Sequence, residues 1–154
     1  MTYSEVFIIK IKLLIFIMNY INNKSELKGF YFQHKIETRF RDLDAFNHIN
    51  NAVFLTYFEN ARKTFFKRWD VNLQEKSLIV ASIKIDYLQQ LKHPSELIVG
   101  QKISRIGSKS FDILSVLFHN EIQICVATTT IVCYNFIDKT TVPLFAEIKK
   151  DFNI

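Results

Sequence analysis

The spacing of the apolar residues changes once along the chain, and this change constrains the fold more than any other feature. From Asn51 to Trp69, apolar side chains recur every three or four residues, the period of an amphipathic helix. Alternating runs precede and follow it, at residues 32–40, 78–88, 96–106, 109–118 and 122–136. Alternation is typical of a strand with one buried face. One long helix ahead of successive antiparallel strands predicts an α+β fold in which the helix packs on the sheet.

Turn and capping residues set the expected limits of these elements. Asn50 or Asn51 is the predicted N-cap, and the helix is predicted to end near Trp69. Turns are expected at Pro94-Ser95, at Gly107-Ser108 and at a hairpin loop over 119–121. In the strand after the helix, strict alternation would place five apolar residues on one face: Ile79, Ala81, Ile83, Ile85 and Tyr87.

Composition narrows the class of protein. A chain of 154 residues is long enough for one domain with a substantial core. The net charge of +5 is spread over scattered Lys and Arg residues, which argues against nucleic-acid binding but suits a polyanionic small ligand such as a CoA ester. Cys125 and Cys133 lie eight residues apart in one predicted strand, on the order of 26 Å and too far to bridge. Buried, reduced thiols indicate a cytoplasmic protein.

The N-terminal segment differs from the rest of the chain. An apolar run over residues 6–17 is interrupted by Lys10 and Lys12, and is shorter than the roughly 20 apolar residues that a membrane-spanning helix needs. It also lacks the charge order and the cleavage site of a signal peptide. We therefore expect residues 1–30 to be an extension, with Met18 as an alternative start. Residues 31–150 are expected to form the folded domain.

A polar cluster over residues 42–51 joins the first strand to the helix. It contains two carboxylates, a histidine and three asparagines. A carboxylate held beside a helix N-terminus suits acyl transfer, because backbone N–H groups there can polarise a carbonyl. A calcium loop starting at Asp42 would need Gly at the position of Asn47 and Glu at that of Val53, so no metal is predicted. Neither a G-x-S-x-G motif nor a Gly-rich phosphate loop is present.

The cluster has the spacing D-x-D-x-x-x-H-x-N-N, and Y-F-E-x-A-R follows from Tyr57. In these motifs the chain resembles the hotdog-fold acyl-CoA thioesterases, the group typified by 4-hydroxybenzoyl-CoA thioesterase, over roughly residues 33–146. The resemblance implies a hotdog fold, a long central helix wrapped by a curved antiparallel sheet. It also implies hydrolysis of an acyl-CoA to free acid and CoA without a cofactor. A homodimer or homotetramer is implied, with sites at the subunit interface.

The same resemblance assigns roles to individual residues. Asp44 would be the catalytic carboxylate, as nucleophile or as base on water, and Asn51 would donate its backbone N–H to the thioester carbonyl. His48 and Asn50 would orient Asp44, water or the pocket wall. For the CoA moiety, the candidates around the Gly107 turn are Arg105, Ser108, Lys109 and Ser110. Asn47 departs from the family, where many relatives carry Gly.

Several alternatives remain open on the sequence alone. Asp42 is interpreted as a turn or cap carboxylate. His48 suits a structural hydrogen bond as well as a chemical role. Glu59 is predicted to pair with Arg62 rather than to act as an acid. A hotdog hydratase or dehydratase would use His48 with Glu59 but would leave Asp44 unexplained. A non-catalytic acyl-binding protein is the third hypothesis, since a fold alone does not fix activity.

Overall fold

The computed structural model describes residues 27–152. The predicted apolar run over 6–17 and the alternative start at Met18 lie outside the described residues. Two helices and six strands follow in the order β1 Phe32–Glu37, α1 Asn51–Phe66, β2 Ser77–Tyr87, β3 Glu96–Ile106, β4 Ser110–His119, β5 Ile122–Asn135, β6 Thr140–Thr141 and α2 Ala146–Phe152. Strands β2 to β5 begin and end within one residue of their predicted limits.

The strands form one antiparallel sheet in the order β1-β3-β4-β5-β2, and the short β6 pairs with the end of β5. Helix α1 lies nearest β1 and β3, and the sheet curls around it. At the hairpin between β4 and β5, Asn120 and Glu121 both have positive φ angles, which a two-residue turn between twisted strands requires. The α+β layer and the predicted hairpin are confirmed.

The core lies between α1 and the inner face of the sheet. Phe54, Phe58, Ala61 and Phe65 project from one side of the helix and are buried. Opposite them the inner positions of β3 and β4 are also buried, among them Leu97, Val99, Ile113 and Leu117. Each fully buried Phe, Leu, Ile or Val side chain contributes about 1.5–3 kcal/mol. The alternation in the strands and the helical period therefore fit one shared apolar layer.

Two elements end earlier than predicted. Helix α1 ends at Phe66 instead of Trp69, because the N–H groups of Arg68 and Trp69 donate to carbonyls three residues back, as in a tighter turn. Trp69 remains buried at that turn. Strand β1 ends at Glu37, and Phe40, predicted on its buried face, is 80% exposed. A 3-10 turn over Phe40–Asp42 bends the chain away from the sheet at this point.

A bulge in β2 makes the predicted alternation wrong in its first half. Val80 pairs with Ile131 and Ser82 with Thr130, so one extra residue, Ala81, separates them. Leu78 and Val80 therefore share the inner face with Ile83, Ile85 and Tyr87, while Ile79 does not. Strand β2 lies at an edge of the sheet. Its inner side chains Val80, Ile83 and Tyr87 remain well exposed.

The C-terminal tail forms a short helix, α2, that the sequence did not predict. Asp151 accepts hydrogen bonds from Arg68 Nε at 2.9 Å and from Trp69 Nε1 at 2.8 Å. Ile148 is buried, and Glu147 pairs with Lys76. The segment thus covers the C-terminal end of α1. Within residues 27–152, no helix has the length and apolar character needed to cross a membrane.

Candidate active site

Asp44 lies in a tight turn that its own side chain stabilises. Its Oδ1 accepts hydrogen bonds from the N–H groups of Phe46 at 2.8 Å and His48 at 3.1 Å. Its backbone N–H donates to the carbonyl of His48 at 2.8 Å. Oδ2 accepts no hydrogen bond from the described residues. The turn requires a left-handed residue, and Asn47 supplies it with φ of 60°, a conformation that Asn tolerates well.

Asp42 has a structural role, which confirms its interpretation as a cap carboxylate. It is 2% exposed, accepts a 2.6 Å hydrogen bond from Tyr57 Oη, and pairs with Arg39. It also accepts from the backbone N–H of Arg39, which caps the 3-10 turn. Burial alone would raise the pKa of Asp42, but the hydrogen bonds from Tyr57 and Arg39 outweigh burial and hold that pKa below its ordinary value.

Helix α1 begins beside this turn. Asn50 is the N-cap, as predicted, and its Oδ1 accepts from the N–H of Ala52 at 2.9 Å. The Asn50 amide is therefore engaged at the helix start and does not line the cleft described next. Asn51 is the first helical residue, and its N–H has no hydrogen-bond acceptor among the described residues. An unpaired N–H at a helix N-terminus is available to an incoming carbonyl oxygen.

A cleft of about 560 Å³ opens between this helix start, the Asp44 turn and the segment after β2. It brings together three of the four predicted catalytic residues, Asp44, His48 and Asn51. The other lining residues are Phe46, Ile49, Phe54, Tyr87, Leu88, Gln89, Gln90 and Leu91. The sequence interpretation missed Tyr87 and the residues after it. Tyr87 could have been identified from the alternation in β2, because that alternation places it on the inner face of the strand.

The pairing predicted for Glu59 is wrong. Glu59 Oε1 pairs with Lys63 Nζ at 3.2 Å on the exposed side of α1. Arg62 is instead 7% exposed, and burial lowers the pKa of its guanidinium. Neither residue lines the cleft. Glu59 and Arg62 form no ion pair because Arg62 is buried at its point on the helix, while Glu59 and Lys63 share the outer surface. The charge of Glu59 only partly offsets the effect of burial on the pKa of Arg62.

The candidate CoA contacts lie at the other end of the sheet. Arg105 Nη2 donates to Asp112 Oδ1 at 2.9 Å, and Lys109 Nζ donates to Thr141 Oγ1 at 3.2 Å. The carbonyl of Lys109 accepts from Cys133, whereas Tyr87 in the cleft pairs with Cys125. Eight strand residues span on the order of 26 Å. Within one chain, the structure therefore does not bring Arg105, Lys109 or their neighbours Ser108 and Ser110 to Asp44.

The cleft is rich in hydrogen-bonding groups rather than in metal ligands. Across residues 27–152, no three His, Cys, Asp or Glu side chains come together in a way that could hold a metal ion. The chemical groups available in the cleft are a carboxylate, an imidazole, side-chain amides and the N–H at the helix start.

Three curated proteins are similar to part of the chain. The uncharacterised protein YsmA of Bacillus subtilis is 37% identical over 84 residues, which cover 53% of this chain and 57% of YsmA. The chloroplastic acyl-acyl carrier protein thioesterase ATL3 of Arabidopsis thaliana is 29% identical over 84 residues, covering 50% and 44%. ATL2 of the same plant is 32% identical over 81 residues, covering 48% and 43%. The chain spans about half the length of the curated relatives it matches.

Solved structures match over a longer stretch. A thioesterase from Thermus thermophilus, crystallised with coenzyme A and Zn, superposes with a TM-score of 0.74 and is 30% identical; the match covers 82% of this chain and 100% of that one. The probable thioesterase YbaW of Escherichia coli has the same fold, with a TM-score of 0.71 and 23% identity over 79% and 96%. The predicted hotdog fold is confirmed. A family model described as the thioesterase-like superfamily matches residues 38–152. The chain therefore belongs to the thioesterase-like superfamily.

Proposed function

We propose that the protein hydrolyses acyl-CoA thioesters to a free acid and CoA. One observation supports this most directly: Asp44 and the first residue of α1, Asn51, line the same cleft. Asp44 Oδ2 and the Asn51 N–H both lack hydrogen-bond partners among the described residues. A nucleophile or base thus faces the same space as an oxyanion donor.

In the proposed mechanism the thioester carbonyl oxygen accepts a hydrogen bond from the Asn51 N–H. The positive end of the α1 dipole stabilises the negative charge that develops on this oxygen. Removing one well-placed oxyanion donor typically lowers kcat by about 10²–10³-fold. Asp44 then either attacks the carbonyl carbon, giving an acyl-aspartyl anhydride that water hydrolyses, or removes a proton from the attacking water. CoA leaves as the thiolate and takes up a proton.

His48 and Asn50 receive supporting roles in this proposal. His48 lines the cleft, and its backbone N–H holds Asp44 Oδ1 at 3.1 Å. We assign to the His48 side chain the orientation of water or of the pocket wall. Asn50 acts through the cap, since its side chain fixes the start of the helix that presents the Asn51 N–H.

We propose a homodimer formed through β2, with a homotetramer as a further assembly of such dimers. The edge of β2 is unpaired within the described part of the chain, and Val80, Ile83 and Tyr87 are exposed along its inner side. The first residues of β2 pair near Cys133, at the end of the Gly107 turn, and its last residue pairs with Cys125, beside the cleft. An antiparallel pair of β2 strands would therefore bring the turn of one copy to the cleft of the other.

That arrangement gives the Gly107 turn a role in CoA binding. In the proposed dimer, Ser108, Lys109 and Ser110 of one copy reach the phosphates of CoA bound in the other copy's cleft. Arg105 is a weaker candidate than Lys109, because its guanidinium is already held by the Asp112 carboxylate. Support for CoA as the ligand comes from the Thermus thermophilus thioesterase, which was crystallised with coenzyme A.

A second substrate class also has support. The Arabidopsis thaliana relatives are acyl-acyl carrier protein thioesterases, so an acyl group on a carrier protein is the alternative donor. The hydratase hypothesis has less support, because its required acid, Glu59, pairs with Lys63 and lies outside the cleft. The hypothesis of a non-catalytic acyl-binding protein makes no use of the free Asp44 Oδ2.

We further propose a cytoplasmic location. Cys125 and Cys133 are both free and buried, and burial raises the pKa of Cys125 to about 12. Free thiols are usual in a reducing compartment.

Thiol release from a panel of acyl-CoAs and acyl carrier protein thioesters tests the proposed function. We expect the wild-type protein to release thiol and Asp44→Ala to lose at least about 10²-fold in kcat. Asp70→Ala, the same change at an exposed carboxylate after α1, is the matched control. An Asp44→Ala variant as fast as wild type would refute the mechanism. Hydration of an enoyl-CoA would instead favour the hydratase, and binding without either reaction would favour the acyl-binding protein.

A further inference from the structure

Tyr87 joins the edge strand of the sheet to the first turn of α1. Its hydroxyl donates a 3.0 Å hydrogen bond to the backbone carbonyl of Asn51. Its ring stands edge-on to Phe54, with 5.5 Å between the ring centroids. Directly after Tyr87, the N–H groups of Leu88 and Gln89 both donate to the carbonyl of Ile124. The tyrosine is therefore anchored in the sheet at its backbone and bonded to the helix at its side chain.

A second tyrosine, farther along α1, holds the loop that leads into the helix. Phe54 also contacts the ring of Tyr57, with centroids 6.2 Å apart, and Tyr57 Oη donates to Asp42. The carbonyl of Asp42 in turn accepts from the N–H of Asn50. Tyr57 and Asp42 thus fix the loop that leads into the helix. Tyr87 acts on Asn51 itself, at the residue that supplies the N–H to the cleft.

The Tyr87 hydroxyl stays protonated, and so remains a hydrogen-bond donor, at neutral pH. A tyrosine hydroxyl is protonated at neutral pH, and the partial burial of Tyr87 raises its pKa further. The distance of 3.0 Å from the Tyr87 hydroxyl to the Asn51 carbonyl oxygen is within the hydrogen-bond range, at its long end for an O–H donor. Placement of the Asn51 N–H matters because a shift of about 1 Å at a reacting group can cost as much as 10²-fold in rate.

We propose that Tyr87 is a positioning residue for the oxyanion site: its hydroxyl fixes the first turn of α1, and with it the Asn51 N–H, against the cleft. This inference rests on the proposed thioester hydrolysis. Tyr87 is not assigned a contact with the reacting atoms. Since Tyr87 ends the strand proposed to form the dimer, the same side chain also links that edge to the site.

The test compares Tyr87→Phe with wild type, using octanoyl-CoA and benzoyl-CoA as probes on the full chain. Phenylalanine keeps the ring contact with Phe54 and removes only the hydroxyl. We expect kcat to fall about tenfold and KM to stay within about twofold. A displaced Asn51 N–H weakens the hydrogen bond to the oxyanion of the transition state more than the hydrogen bond to the substrate carbonyl. Tyr134→Phe is the matched control, since it removes a tyrosine hydroxyl from β5 at the far end of the sheet. It should leave both constants unchanged.

A second measurement reports on the helix start without relying on activity. Hydrogen exchange of the amides over residues 51–55 should be faster in Tyr87→Phe than in wild type and unchanged in Tyr134→Phe. A Tyr87→Phe protein with wild-type kcat, or with a raised KM alone, would overturn the positioning role and leave the proposed function intact. Wild-type protein that releases no thiol from any substrate would overturn the proposed function, and the positioning role with it.

Discussion

The phenol of Tyr57 donates a 2.6 Å hydrogen bond to the buried carboxylate of Asp42, and this contact ties the middle of α1 to the loop that holds Asp44. Asp42 Oδ1 also forms a salt bridge with Arg39 Nη2 at 3.1 Å, so the negative charge of the buried carboxylate is balanced. A buried carboxylate is expensive unless it is paired and hydrogen-bonded. The first aspartate of the D-x-D pair therefore serves the stability of the loop, while the second, Asp44, keeps one carboxylate oxygen without a hydrogen-bond donor among the described residues.

Removing this contact should lower stability. We expect Tyr57→Phe to reduce the free energy of unfolding by about 1–3 kcal/mol, because it leaves a buried carboxylate short of one donor. Urea denaturation followed by circular dichroism measures the change. Tyr134→Phe provides the control. Equal unfolding midpoints for Tyr57→Phe and wild type would contradict the structural role of Asp42.

Stability should also fall in acid. The pKa of Asp42 lies below its ordinary value, as do those of Asp112, which accepts from Arg105, and Asp151, which accepts from Arg68. A carboxyl group with a depressed folded-state pKa stabilises the protein fully above its unfolded pKa of about 4, and this contribution is lost as pH falls through the folded value. Urea midpoints between pH 7 and pH 2 should show the loss below about pH 4. Asp42→Asn should make the urea midpoint depend less on pH. The same pH dependence in Asp42→Asn as in wild type would show that Asp42 does not contribute to the loss of stability in acid.

The two cysteines should resist labelling in the folded protein. Both are buried, and burial raises the pKa of each thiol. The thiolate is the reactive form, so modification by a disulfide reagent at pH 8 should be slow until denaturant is added. Counting released thiolate with and without urea measures this. Rapid stoichiometric labelling of native protein would contradict the observed burial.

The proposed dimer makes a prediction about β2. Ile83→Lys places a charge on the exposed inner side of the edge strand, and we expect it to convert dimers to monomers and to reduce thiol release in parallel. Sedimentation velocity measures the assembly. Ser82→Lys, on the adjacent outward-facing residue, is the control and should stay dimeric. A monomeric wild-type protein with full activity would exclude the proposed interface.

Lys109 should matter more for substrate binding than Arg105. Lys109→Ala is expected to raise KM for an acyl-CoA several-fold, with little change in kcat, because phosphate contacts bind ground state and transition state alike. The effect should shrink at high salt, as screening predicts. Arg105→Ala, whose guanidinium is occupied by Asp112, is expected to change KM less. A larger increase in KM for Arg105→Ala than for Lys109→Ala would instead indicate that Arg105 contacts the CoA phosphates.

Features set by neighbouring residues were predictable from the sequence. The Asn50 cap and the limits of β2 to β5 follow from local chemistry and period, and Asp44 and Asn51 line one cleft because only a short turn separates them. The end of α1 was missed because the apolar spacing continues to Trp69, which is buried in a tighter turn.

Features set by distant contacts were not predictable. Tyr87 reaches Asn51 only because the sheet returns β2 beside the helix start, 36 residues along the chain. The Glu59 pairing was wrong because Lys63 and Arg62 are both within reach on a helix, and only the packing decides which one faces solvent. Helix α2 is short and depends on Asp151 meeting Arg68 and Trp69.

The bulge at Ala81 gives β2 one residue more than its pairing with β5 uses. Residues before and after it face α1 only because one residue is left out of the pairing with β5. Deleting Ala81 would restore strict alternation from Val80 through Ser82 to Ile83, so Ile83, Ile85 and Tyr87 would keep the inner face and the Tyr87 hydroxyl would still meet Asn51. The bulge therefore lets β2 tolerate the loss of one residue at this point. A single-codon deletion there would leave the helix start beside the strand.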